Sequence, residues 1–123
     1  MRFLHVKIFD KTIDADGMSE KIGLMPSFVY RAGTGAGDKD SWIYSVEVDD
    51  DTDLNDSVKV LISRLYEKKD YFKGYATENR EAELYFVIAY YVDSYQGIIS
   101  LKNEDVTKIS EMGFELVIDI MNP

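Results

Sequence analysis

The chain has 123 residues, 46% of them apolar and 13% aromatic, which is enough for one hydrophobic core and suits a single domain over residues 1–123. Its 14 basic and 23 acidic residues leave a net charge of −9, a field that repels nucleic-acid phosphates and anionic lipid headgroups and suits basic partners. With no cysteine there is no disulfide, thiolate metal site or cysteine nucleophile, and a reducing, cytoplasmic setting is the expectation.

The first ten residues, MRFLHVKIFD, alternate Leu4, Val6 and Ile8 with His5 and Lys7, the period of a strand with one face on a core. Lys7 and Asp10 interrupt this stretch before it could serve as the core of a signal peptide, and no run approaches the ~18 apolar residues of a membrane span. DADGMSEKIG at 14–23 predicts a short helix with acidic residues at its start and Gly23 at a left-handed C-terminal cap. Pro26 forbids its continuation. FVY at 28–30 begins an extended segment, the glycine-rich loop RAGTGAGDKD interrupts it, and WIYSVEV at 42–48 resumes with Trp42, Tyr44, Val46 and Val48 on one face.

Residues 54–66 predict the clearest helix, with Leu54, Val58, Leu61 and Leu65 in one stripe, Asp53 or Asn55 as its cap, and an end near KKD at 68–70. ELYFVIAYYV at 83–92 is apolar on both faces and predicts a central strand. DSYQG at 93–97 is a turn from which IISL at 98–101 returns. Another helix follows at 103–112, capped by Asn103, buried through Val106, Ile109 and Met112, and ended by Gly113. FELVIDI then closes the chain with Phe114, Leu116, Ile118 and Ile120 on one face. The expected fold is α+β: a mainly antiparallel or mixed sheet with two to three helices packed on one face, organised as two strand-helix-strand halves.

Two segments invite chemistry and decline it. In the loop, Gly33, Gly35 and Gly37 run at a spacing of two, Asp38 stands where a dinucleotide fingerprint needs its third glycine, and a strand follows where a helix N-terminus is required. The loop therefore reads as a connection, not a phosphate cradle. The acidic run DDDTDLND at 49–56 sets Asp49, Asp51 and Asp53 at the first, third and fifth positions of a calcium loop, but Leu54 replaces the required glycine and Val60 the required glutamate. It reads as a surface turn feeding negative charge to a helix N-terminus. His5, the only imidazole, reads as a partly exposed structural residue, and no cofactor or metal set is expected. Nine tyrosines, Tyr85, Tyr90, Tyr91 and Tyr95 among them, suit either an interface or half-buried sheet faces.

The helix-end signature IGLMP at 22–26, the following RAG at 31–33, Trp42 at the opening of a strand and the block ISLKNEDVTKISEMGFELVIDI at 99–120 resemble bacterial proteins of DUF family 4279. The resemblance spans nearly the whole chain and rests on capping and packing residues, so it implies a fold and is silent about catalysis. The functional expectation is a non-enzymatic protein-binding module, such as an immunity protein that neutralises a basic toxin domain. Asp49, Asp50, Asp51, Asp53 and Asp56 would steer the encounter, and exposed tyrosines such as Tyr95 would anchor it. The alternatives are a small-ligand-binding domain or an enzyme using the 32–41 loop as a lid, and a domain that oligomerises through a free sheet edge.

Overall fold

The strand that the first alternation predicts lies at the centre of a five-stranded sheet. The computed structural model describes residues 1–34, 37–92 and 97–122, and in chain order it contains β1 (Arg2–Asp10), α1 (Ala15–Ile22), β2 (Phe28–Tyr30), β3 (Asp40–Glu47), α2 (Leu54–Tyr66), α3 (Lys69–Glu78), β4 (Glu83–Tyr91), α4 (Asn103–Glu111) and β5 (Glu115–Met121). Strand order is β2-β3-β1-β4-β5. β1 is antiparallel to both of its neighbours, β2 is antiparallel to β3, and only β4 and β5 run parallel. The chain is thus the expected α+β fold with a mixed, mostly antiparallel sheet, and both halves, β1-α1-β2 and β4-α4-β5, are strand-helix-strand units. Among the described residues there are four helices, not two to three.

Register explains why the helices share one side. Leu4, Val6 and Ile8 stand opposite Val46, Tyr44 and Trp42 on β3 and opposite Ile88, Phe86 and Leu84 on β4, so one face of three strands is apolar throughout. Met18 and Ile22 of α1, the Leu54-Val58-Leu61-Ile62-Leu65 stripe of α2, Phe72 of α3, and Ile109 and Met112 of α4 all join that core. The other face carries Phe3, His5, Lys7 and Phe9 with Ile43, Tyr85, Val117, Phe28 and Tyr30, and no helix covers it. Its small central residues, Val87 and Ala89, are nevertheless buried, shielded by the side chains around them.

Several expectations needed correction. The helix beginning at Leu54 ends at Tyr66, and KKD opens α3 instead of closing α2. KDYFKGYATE hides a helix because it is polar, has a central glycine and offers a single deep anchor, Phe72, whose ring meets Phe114 edge-on at 5.0 Å. In α4 the buried stripe runs Asp105, Ile109 and Met112, at i, i+4 and i+7, which leaves Val106 44% exposed. Asn103 is the first helical residue; Lys102 holds the cap position without a capping side chain. Residues 93–96 of the expected turn lie outside the described residues and 98–101 carry no regular secondary structure, while of the last face Phe114 and Leu116 are covered and Ile118 and Ile120 exposed. Asp14 and Asp53 cap α1 and α2, and Gly23 adopts φ 80°.

Gly113 turns α4 into β5 at φ 91°, and a β-carbon there would lie 3.0 Å from that of Ala76. Gly113→Ala should therefore cost more than ~1 kcal/mol. Gly74, inside α3, has open space around it, so Gly74→Ala should add about 0.8–1.0 kcal/mol. Urea unfolding of the two variants measures both signs.

Candidate functional site

The acidic turn leaves the end of β3 and enters α2 around a buried guanidinium. Arg2 is 3% exposed; its Nη2 donates to the carbonyls of Asp49 and Thr52, the latter at 2.9 Å, and its Nε lies 3.9 Å from the Asp50 carboxylate. The cation thus satisfies the turn's carbonyls from below and offsets part of its negative charge. The Asp53 carboxylate is spent on helix capping, accepting from the Asn55 and Asp56 amides at 2.8 and 3.3 Å. Asn55 does other work: its amide donates to Ile98 O at 2.8 Å and accepts from Ser100 N at 2.9 Å, which fastens residues 98–100 to the start of α2. Asp49, Asp50, Asp51, Asp53 and Asp56 are all exposed, so the structure does bring the five predicted acids to one surface. Tyr95 lies outside the described residues.

An apolar groove adjoins this turn, and nothing in the sequence pattern announced it. β2 is three residues long and pairs only with Ser41–Ile43 of β3; beyond it the edge is met by Ser27, whose Oγ hydrogen-bonds both backbone groups of Ser45, and Tyr44 and Val46 stand beside α2. Together with Leu4 and Leu61 they line a groove of about 330 Å³, rimmed by Val60, with Thr52, Asp56, Ser57 and Arg64 supplying its polar atoms. Val60 is 69% exposed there. The acidic turn and the groove share Asp56, so a negative surface and an apolar recess form one continuous site.

The tyrosines fall into two structural groups. Tyr66, Tyr71 and Tyr75 pack against the core with Tyr44, whereas Tyr85 and Tyr30 sit on the open sheet face beside Phe9 and Phe28. Tyr75 donates to Asp10 at 2.7 Å, and burial first, then that bond, raises its pKa. The hydrogen bond to Glu83 is the main cause that pushes Tyr85 up to about 12.

Residues 35 and 36 of the glycine loop lie outside the described residues, but its described flanks are tied together at Asp40. Asp40 receives the Ile13 amide at 2.9 Å, the Ala32 amide at 2.8 Å and Arg31 Nη1 at 3.1 Å, so one carboxylate closes both ends of the loop onto the start of β3. A polar hollow does lie beside it, lined by Lys11, Asp38, Lys39, Arg80, Glu81 and Glu83. Its two lysines are paired, Lys11 to Glu81 and Lys39 to Glu83, each at 2.8 Å, whereas Arg80 and Asp38 form no ion pair among the described residues. Those pairs raise both lysines and lower Glu83, which locks the groups in their charged forms instead of poising them for proton transfer. His5 finds a partner across the strands that no linear motif showed: its Nδ1 lies 2.7 Å from Ser45 Oγ, and its ring stacks on Phe3. Burial, with Lys7 next, lowers its pKa against the opposing pull of Asp119, which keeps the ring neutral at pH 7. Among the described residues no group of three or more His, Asp or Glu side chains is placed to hold a metal, and no helix is long and apolar enough to cross a membrane.

These features define an α+β domain with helices on one face, an open aromatic sheet on the other and an acidic, groove-bearing flank. The chain belongs to the family described as Domain of unknown function (DUF4279), which matches residues 2–122. No curated protein and no solved structure matches it.

The Asp40 junction generates a pH signature. Its amide donors, then Arg31, hold the carboxyl below its ordinary 3.8. A depressed folded pKa gives stability that is complete above the unfolded value of 3.8 and is lost as pH falls through the lower folded one. Asp40→Asn should therefore lower the urea midpoint at pH 6 and flatten its dependence on pH below 4, read from denaturation curves across that window.

Proposed function

We propose that the protein is a non-enzymatic binding module whose ligand is a basic protein domain, and that it neutralises that domain as an immunity protein does a toxin. The observation that carries this reading is the contiguity of five exposed aspartates with an apolar groove. Like-signed charge steers an oppositely charged partner during diffusion, whereas a recess that takes an apolar side chain slows its departure. The division of labour among the acids is itself informative. Asp53 is used as a cap and Asp50 faces Arg2, but Asp51 and Asp56 make no ion pair among the described residues and are available to a partner. The polar hollow beside the glycine loop supports the small-ligand alternative less well, because both of its lysines are already held by Glu81 and Glu83 and it has little apolar lining.

Co-expression with a basic toxin domain encoded beside this gene should restore growth to cells that the domain otherwise arrests. Against the purified domain, Asp51→Lys combined with Asp56→Lys should slow association by roughly tenfold or more at low salt, with the difference shrinking as salt rises. Val60→Arg, which fills the rim of the groove from an exposed position, should instead speed dissociation. Unchanged kinetics in both variants would remove this site from the mechanism.

A further inference from the structure

β5 is the last strand of the sheet, and among the described residues nothing hydrogen-bonds its outer edge. The ladder with β4 establishes which groups lie there. In a parallel pair, a residue that turns its carbonyl towards the neighbouring strand turns its N–H the same way. Met121 accepts from the Val92 amide at 2.9 Å and so faces β4. By alternation Glu115, Val117 and Asp119 face β4 too, which leaves the backbone N–H and C=O groups of Leu116, Ile118 and Ile120 on the open edge. Ile118 is 42% and Ile120 55% exposed on the helix-bearing side, where α4 also exposes Val106. Natural edges are blunted with charged side chains, above all lysine, with proline or with bulges; ELVIDIM has neither lysine nor proline, and its charges, Glu115 and Asp119, stand on the face opposite Ile118 and Ile120.

We propose that a second copy of this chain covers this edge, β5 pairing antiparallel with its counterpart about a two-fold axis at Ile118. Charge selects that register. Only outward-facing residues can exchange hydrogen bonds, so the axis at mid-strand falls at Val117, Ile118 or Asp119. An axis at Val117 sets Glu115 opposite Asp119 of the other copy, and one at Asp119 sets that carboxylate against itself; like charges directly opposed destabilise a sheet. With the axis at Ile118, Leu116 opposes Ile120, Glu115 opposes Met121 and Asp119 opposes Val117, so no like charges meet. Two five-stranded sheets then become one, and Ile118 and Ile120 of both copies cover each other. This contact is independent of the groove and of any partner that binds there.

Sedimentation velocity over a concentration series should show the mass rising from 14.1 kDa towards twice that value. Ile118→Lys, which brings two cations together on the axis, should stay monomeric throughout with an unchanged circular dichroism spectrum. Register is tested by disulfide trapping, which a chain without cysteine makes clean. A mixture of Val117→Cys and Asp119→Cys chains should cross-link on mild oxidation far more than either variant alone, because directly opposed, non-hydrogen-bonded residues lie about 4.5 Å apart. A chain that is monomeric at every concentration, or a dimer that persists in Ile118→Lys, would overturn the proposal. Equal cross-linking in the mixture and the single variants would overturn its register. Should Ile118→Lys fail to fold, wild-type sedimentation and the cysteine mixture decide between these outcomes.

Discussion

Burial of only one face of the sheet is the constraint from which the rest of this structure follows. Because Leu4, Val6 and Ile8 are matched by apolar residues on both flanking strands, every helix is drawn to that side, and four short helices fill what two long ones could have covered. A fully buried side chain of this size is worth about 1.5–3 kcal/mol, so a core of this extent outweighs the marginal helicity of segments as short as α1 and α4. The opposite face is left to be protected by its own side chains. Phe3 stacks on His5, Phe9 meets Tyr85 edge-on and Phe28 stacks on Tyr30, which shelters the small residues between them and leaves an aromatic surface facing outward.

The polar junctions sit at the ends of the strands, where backbone groups leave the ladder and need new partners. At one end Arg2 collects the carbonyls of the acidic turn; at the other Asp40 collects the amides of Ile13 and Ala32. Both are charged groups buried against backbone dipoles, the arrangement in which removal of one partner is most costly. The negative turn is thus tolerated because a cation lies beneath it, and its exposed carboxylates are the surplus that a partner could meet.

Much of the fold was legible in the sequence because β1, β3, β4 and α2 carry strict periodicities that tertiary contacts did not override. α3 was not, since its only deep contact is Phe72 and its other apolar residues are half-buried tyrosines and an alanine. Val106 misled for a related reason: a nine-residue helix offers two possible stripes, and the one chosen places the carboxylate of Asp105 inside. At the candidate site the five aspartates were visible as a run, but the groove was not, because it results from β2 stopping short of Tyr44. Nor could spacing reveal that Arg2, almost fifty positions away, underlies the turn. Contacts between distant segments are invisible to local pattern.

The central position of β1 bears on how the molecule is made. Its two neighbours are residues 40–47 and 83–90, so during synthesis β1 is made before both and stays unmatched on one side until β4 has emerged. A nascent chain halted before β4 would have β1 paired with β3 alone and its other edge open. The sheet is therefore completed by pairings of high sequence separation, the topology whose loop-closure entropy slows folding and lengthens the exposure of an unpaired strand.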